Sequence, residues 1–283
     1  MMETSNLLDS DVNIWQPRIH WVLRISAAFC FIGHGAFGVL TKSAWFPYFE
    51  TVFIHPNIAL KLMPLIGTID ITMGILTLIS PRRGALLFMT LWATWTALLR
   101  PLSGVAEEAM WWEFLERAGN YGVPFAFLIM SGFPLSWKAL WEEIHEPRLS
   151  QQTLSRLIII LRLTTALLLI GHGGFGLFKQ KPMLINHWSN IGLPGSGMDP
   201  VQFIMMVGGF EILLGLSVLI RPFRSVLIFI AVWKIATELL YPVTGTPIWE
   251  FIERFGSYGA PVALSFLLTL RKSNATLKRR DSG

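Results

Sequence analysis

The chain is poor in charged residues and almost free of cysteine. Only 14% of its 283 residues are Asp, Glu, Lys or Arg, whereas an ordinary soluble domain carries about 25%. Cys30 is the single cysteine, which excludes a disulfide scaffold, a cysteine-rich zinc site and a two-cysteine redox couple within one chain. The sequence also has no flavin fingerprint and no haem-attachment motif, so it contains no redox centre of its own.

Apolar residues are abundant instead. They make up 53% of the chain and include 20 Phe and 12 Trp, which excludes a disordered chain and favours lipid as the solvent. The formal net charge of +5 is then interpreted as basic residues at the membrane surface, and no nucleic-acid partner is expected.

Eight stretches are long and apolar enough to cross a membrane, because a spanning helix needs about 20 mostly apolar residues. The sequence therefore predicts an all-α integral membrane protein. The predicted spans are 21–41, 60–80, 84–103, 118–137, 156–178, 201–220, 224–243 and 255–271.

Basic residues are about twice as numerous on one predicted side of the membrane as on the other. The richer side includes the Arg82–Arg83 turn, the Arg221/Arg224 turn and the tail after Arg271. By the positive-inside rule both termini are expected in the cytoplasm, in a multi-pass protein of the cell inner membrane.

The chain is a tandem duplicate. Residues 32–38 read IGHGAFG and residues 170–176 read IGHGGFG, so six of seven positions match at a spacing of 138. Residues 112–124 also match residues 249–261 without a gap, as WEFLERAGNYGVP and WEFIERFGSYGAP. Each copy holds four spans, an even number, so the copies are predicted to lie parallel as two four-helix bundles side by side.

The predicted organisation has five parts. They are a cytoplasmic N-terminal tail (1–20), a first four-helix repeat (21–137), an amphipathic linker (138–155), a second repeat (156–271) and a basic C-terminal tail (272–283).

Ionisable residues inside spans are costly, which makes each one a candidate functional group. The helices of His34 and Asp70 cross the membrane in opposite directions, and both residues are predicted at a similar depth. His172 and Glu211 repeat the arrangement in the second copy. Carboxylate–imidazole pairs suit proton transfer, so these four residues are the catalytic candidates, expected in a polar-lined cavity that opens outward. The alternative is that the His side chains only bond the acids and hold helices together.

The second repeat carries extra charge, since Lys234 and Glu238 stand where the first repeat has Ala93 and Ala97. Such a cluster is expected either to couple transport to an ion or simply to neutralise Glu211. No metal site is expected.

The matching block near the end of each repeat is the other candidate surface. It holds two acids and one arginine in each copy, with helical spacing that favours ion pairs. These ion-pair or substrate candidates are Glu113, Glu116, Arg117, Glu250, Glu253 and Arg254.

Each copy resembles the DoxX-like superfamily of small four-helix membrane proteins, of the DoxX and DoxD types. The resemblance rests on the Arg at the start of the first span, the Gly-His-Gly-x-Phe-Gly segment, the acid on the second span and the Pro-Arg turn. It implies a bacterial or archaeal inner-membrane protein linked to quinone. The fused duplication and the Trp-Glu-Phe block depart from the family pattern.

Three functions follow as hypotheses, and whether the chain is an enzyme stays open. The first is a subunit of a quinone-linked electron-transfer system with a redox partner protein, quinone being the only cofactor implied. The second is a proton- or cation-coupled small-molecule transporter, or a membrane binding protein, that uses the Lys234 cluster. The third makes His34 and His172 ligands of a b-type haem, and a scaffolding role is a further alternative.

Overall fold

A computed structural model describes residues 2–104, 110–145 and 149–281, with side chains for 14–104, 111–145, 149–274 and 276. Every regular element within these ranges is helical. The helices of the first copy are α1 (Met2–Val39), α2 (Phe46–Thr51), α3 (Pro56–Ile79), α4 (Arg83–Leu102), α5 (Met110–Glu116), α6 (Ala118–Ser131) and α7 (Trp137–Trp141). Those of the second are α8 (Gln151–Leu177), α9 (Pro182–Asn190), α10 (Pro200–Ile220), α11 (Arg224–Glu238), α12 (Leu240–Val243), α13 (Trp249–Ile252) and α14 (Phe255–Asp281).

Six helical segments are long and apolar enough to cross a membrane. They are Ile14–Val39, Pro56–Ile79, Arg83–Leu102, Gln151–Leu177, Pro200–Ile220 and Arg224–Val243. Large apolar side chains on these helices stay exposed, as expected for contact with lipid; examples are Ile79 at 72%, Leu91 at 63%, Leu213 at 66% and Ile220 at 80%. The chain is therefore a membrane protein by helix length, composition and exposed apolar surface.

The predicted fourth span, 118–137, corresponds to the shorter helix α6, which ends at Ser131, and α5 lies before it in the chain. Both α5 and α6 pack on α4. Arg100 near the end of α4 bonds Glu113 of α5 at 2.8 Å, and Arg83 at its start donates to the Ser131 carbonyl of α6 at 2.9 Å. The predicted eighth span is contained in α14, which packs along α11.

The tails and the linker are more helical than the sequence suggested. Helix α1 begins at Met2, within the predicted tail 1–20, and α14 continues through the predicted C-terminal tail to Asp281. In the linker, α7 forms the amphipathic piece, and Ile144, which follows it, is buried. Residues 146–148 and 282–283 lie outside the described residues.

The two copies are interlocked and are not two separate bundles. The first helix of each copy packs on its own second helix, α1 on α3 and α8 on α10, but also along the last helices of the other copy. Thus α1 lies against α13 and α14, whereas α8 lies against α5 and α6. The buried aliphatic core is continuous across both copies.

Glycines make these crossings close enough. A Cβ on Gly33 would meet the backbone of Glu253 in the other copy, and a Cβ on Gly171 would meet the backbone of Glu116. Gly119 and Gly256, which occupy matching positions in the repeat, lie directly against each other's backbone. Small residues of this kind let helix backbones approach in membrane proteins.

Two arginines at matching positions close the ends of the second helices. Nε of Arg24 donates to the Thr77 carbonyl at 3.0 Å, and Nε of Arg162 donates to the Val218 carbonyl at 3.0 Å. The last carbonyls of a helix have no partner within it, so these guanidinium groups satisfy them. This contact explains why an arginine stands at the same place in each copy.

Candidate functional site

The predicted His34–Asp70 pair is formed. Nδ1 of His34 lies 2.9 Å from Oδ2 of Asp70, and the Asp70 side chain is 1% exposed. Nδ1 of His34 is thus occupied by Asp70, and Nε2 is left for another partner. The two helices approach closely because Gly35 and Gly67 lie against each other's turn, where a Cβ would clash.

The second copy forms the matching pair with a shorter contact. Nδ1 of His172 lies 2.5 Å from Oε2 of Glu211, and both side chains are buried. The indole N–H of Trp233 donates to the other carboxylate oxygen of Glu211 at 2.9 Å. Both oxygens of this acid are therefore satisfied.

The first copy leaves the corresponding groups without partners. Trp92 stands at the position of Trp233, yet its buried Nε1 has no hydrogen-bond partner among the described residues, and neither has Oδ1 of Asp70. Asp70 is one methylene shorter than Glu211, which gives a physical reason why its carboxylate does not reach the indole. A buried polar group left unpaired costs about 1–3 kcal/mol, so an unpaired N–H in a pocket wall is a candidate ligand contact.

A pocket of about 290 Å³ lies beside His34, between α3, α4 and the loop that holds α2. Its lining is apolar and aromatic, in contrast to the polar cavity expected from the sequence. His34 stacks on Trp45 at 4.7 Å between ring centroids. The lining residues are His34, Trp45, Tyr48, Phe49, Val52, Ile54, Leu62, Met63, Ile66, Trp92, Trp95, Thr96, Leu99 and Arg100.

The matching region of the second copy is occupied by aromatic rings. Trp188 lies 6.3 Å from Trp233 and 5.4 Å from Phe203, measured between ring centroids. Phe210 and Phe229 also contact Trp233. The pocket of about 290 Å³ lies beside the His–carboxylate pair of the first copy.

Lys234 connects Glu211 to a second buried acid. Its Nζ lies 2.7 Å from Oε1 of Glu238 and 3.7 Å from Oε1 of Glu211, and all three side chains are at most 2% exposed. Glu238 in turn lies 2.9 Å from Nε of Arg254. The sequence hypothesis that Lys234 neutralises Glu211 describes only one of its two acidic contacts, and Glu238 is the nearer acid.

The Trp-Glu-Phe blocks extend this cluster across the copies. Arg254 also pairs with Glu250 at 2.7 Å and with Glu253 at 3.2 Å, while Arg117 of the first copy lies 3.9 Å from Glu253. The cluster encloses a small cavity of about 10 Å³. It is lined by Glu116, Arg117, Asn120, Leu168, Lys234, Glu238, Glu253, Arg254 and Ser257. That volume is close to what one water molecule needs.

Lysines of the first loops complete the ion pairs from the opposite copy. Lys42 contacts Glu250 at 2.6 Å, and Lys181 lies 3.9 Å from Glu113. Burial acts to raise the pKa of Glu250, which belongs to α13 outside the six candidate spans, but Arg254 and Lys42 outweigh it and hold the pKa at about 2. Glu250 is therefore ionised at neutral pH.

Sequence reasoning named the acids, the histidines, Lys234 and the arginines of the two blocks, but did not identify Trp233, Lys42 or Lys181 as partners of the acids. Trp92 and Trp233 match in the two copies, and that match was a usable signal for a tryptophan at the His–carboxylate pair. No local sequence pattern predicts that Lys42 and Lys181 form ion pairs with acids of the other copy. Among the described residues, no group of three His, Cys, Asp or Glu side chains could hold a metal ion.

Comparison of the chain with protein-family models, with curated proteins and with solved structures finds no match.

Proposed function

We propose that the chain is an eight-span protein with both termini in the cytoplasm and that its two copies are related by a pseudo-twofold axis through Gly119 and Gly256. Support comes from the matching exchange of contacts between copies and from the length of α5–α6 and α14 beside their neighbours. Labelling of single cysteines in a Cys30→Ser background tests the topology. Cysteine at Ser196 should react from outside and cysteine at Ser136 only from the cytoplasm; the reverse pattern contradicts the orientation.

We propose that the first copy binds the headgroup of a quinone or quinol in the pocket beside His34, as part of a quinone-linked electron-transfer system. The observation that carries the proposal is an apolar, aromatic pocket of about 290 Å³ with the rings of His34 and Trp92 in its wall. The indole N–H of Trp92 is buried and has no hydrogen-bond partner among the described residues. Ligand pockets are typically apolar with a few polar groups that fix orientation. The resemblance of each copy to the DoxX-like superfamily agrees with this class of ligand.

The chemistry assigned to His34 is proton exchange. Nε2 of the imidazole accepts a proton from a quinol hydroxyl, and the Asp70 carboxylate at Nδ1 stabilises the imidazolium that forms. The Trp92 N–H donates to the other oxygen of the ring. Oxidation of the quinol releases two electrons, which pass to a redox partner protein, and two protons, one to His34 and one from the other hydroxyl to bulk water. The His172–Glu211 pair, which is bonded to Trp233, is structural.

Binding of a short-tailed ubiquinone analogue to the purified chain tests the proposal. Trp92→Phe keeps an aromatic side chain in the wall and removes the N–H, so affinity should fall at least about fivefold, the value of one hydrogen bond near 1 kcal/mol. Trp233→Phe is the matched control in the second copy and should leave affinity unchanged. Absence of saturable binding, or equal losses in the two variants, would overturn the proposal.

The cluster around Lys234 supports a second candidate, a proton- or cation-coupled transporter. The observation in its favour is that Lys234, Glu238 and Glu253 surround a small cavity between the copies, where Nζ of Lys234 has no well-oriented hydrogen bond. Proteoliposomes carrying a pH-sensitive dye distinguish the two candidates. Proton flux that is lost in Lys234→Ala but kept in Trp92→Phe would favour transport.

A further inference from the structure

A basic surface pocket lies at the end of the second copy that carries the chain terminus. Its volume is about 440 Å³, and it lies between the start of α11 and the segments Ile158–Arg162 and Leu268–Lys272. Five cationic side chains line it, and no acidic residue is among the described residues around it: Arg162, Arg221, Arg224, Arg271 and Lys272. This pocket takes no part in the proposed quinone chemistry.

The matching corner of the first copy is covered by the chain's own linker. The backbone N–H of Ile144 donates to the Pro81 carbonyl at 2.8 Å, and Arg82 donates to the Trp141 carbonyl. The Glu142 carboxylate lies 3.4 Å from the guanidinium of Arg83. The linker thus supplies both oxygen acceptors and apolar cover to this turn.

The second copy supplies no such cover. Helix α14 continues straight to Asp281 and does not fold back over the turn. Gly84, against which the Leu140 carbonyl packs, is replaced by Ser225 at the matching position. Among the described residues, Arg221 and Arg224 have no oxygen acceptor of the kind that the linker gives the first turn; Arg221 lies over the ring of Phe223 and Arg224 over the ring of Trp15.

The walls of the pocket indicate what kind of anion would fit. Ile158, Ile220, Phe223 and Leu268 lie among the cations, and Ile220 and Phe223 are 80% and 50% exposed. Ile220 ends a candidate span, so the pocket lies where a span meets the membrane surface. A small soluble anion would use the cations but not the apolar wall, whereas a phospholipid would use both.

We propose that this pocket binds the phosphate headgroup of an anionic phospholipid, with the acyl chains against the exposed apolar residues beside it. Basic pockets between membrane helices bind anionic headgroups in this way, and each cation near the surface adds about 1 kcal/mol, a factor of about five in affinity. The lipid would take the place that the linker holds on the first copy.

The test measures the unfolding midpoint of the full chain in neutral detergent as short-chain lipid is added. Dioctanoyl phosphatidylglycerol should raise the midpoint in a saturable way, because a ligand of the folded state stabilises it. Dioctanoyl phosphatidylcholine and inorganic phosphate at the same concentrations should not. Equal effects of the two lipids would overturn the proposal, and an equal effect of phosphate would replace the lipid by a small anion.

Two double variants separate this pocket from general surface charge. Arg221→Gln with Lys272→Gln removes two pocket cations and should weaken phosphatidylglycerol binding about 25-fold. Lys138→Gln with Arg156→Gln removes two exposed cations outside the pocket and should change the affinity less than twofold. Equal losses in the two double variants would refute a specific site. The wild-type comparison of lipids still decides the matter if a variant fails to fold.

Discussion

Replacing Lys234 by alanine should destabilise the protein strongly, because its ammonium group lies between two buried acids. Nζ is 2.7 Å from Glu238 and 3.7 Å from Glu211, and the Lys234 side chain is 1% exposed. Removing one partner of a buried ion pair typically costs about 3–5 kcal/mol, since a charge is left without compensation. Glu211 keeps His172 and Trp233, and Glu238 keeps Arg254 at 2.9 Å, so the cost should lie at the lower end of that range.

The first copy suggests the matched double variant. It has alanine at both positions, so Lys234→Ala with Glu238→Ala reproduces its pattern in the second copy. In that variant Arg254 still pairs with Glu250 at 2.7 Å and with Glu253 at 3.2 Å. The double variant should therefore cost less than the sum of the single variants, with a coupling of about 1–3 kcal/mol.

Reversible unfolding by sodium dodecyl sulfate in mixed micelles, followed by tryptophan fluorescence, gives the four free energies of this cycle. Lys61→Ala, which removes an exposed lysine from α3, is the control and should change stability by less than about 0.5 kcal/mol. Additive single effects would show that Lys234 and Glu238 do not act as a pair. A neutral Lys234→Ala would refute the burial argument itself.

Three further predictions concern other parts of the molecule. Gly256→Val would force a side chain into the backbone of α6, so the yield of folded protein on size-exclusion chromatography should collapse, whereas normal yield would contradict the close crossing. Asp70→Glu lengthens the acid towards Trp92, so the unfolding midpoint should rise and quinone affinity should fall; unchanged affinity would argue against the indole as a ligand contact. Lys42→Met should lower the unfolding midpoint at neutral pH, because the bond from Lys42 to Glu250 is lost. Since the pKa of Glu250 is lowered from 4.5 to about 2, the difference from wild type should be full above pH 4.5 and shrink as the pH falls towards 2. A difference independent of pH would refute the ionic contribution.

The sequence alone was enough for the six helices that are long and apolar enough to cross a membrane and for the contact of each histidine with its carboxylate. Apolar runs of about 20 residues require helices in lipid, because backbone groups there must bond within their own segment. The depth of His34 and Asp70 along their helices follows from the rise per residue, and the glycines beside them at Gly35 and Gly67 permit the contact. Helix formation and the depth of a residue along its helix are local in the chain, so the sequence pattern records them.

Only the tertiary structure shows that the last helices of each copy, α6 and α14, pack on the first helix of the other copy. It also shows that the His34–Asp70 pair lies beside a pocket. The sequence pattern of the block that contains Glu250 fits packing on its own first helix, α8, as well as packing on α1 of the other copy. Apolar pattern and helix length do not distinguish these equivalent partners. Likewise, the one-methylene difference between Asp70 and Glu211 matters only once Trp92 and Trp233 are placed beside them. Contacts between segments far apart in the chain, and the space left between them, depend on the packing of all the helices together.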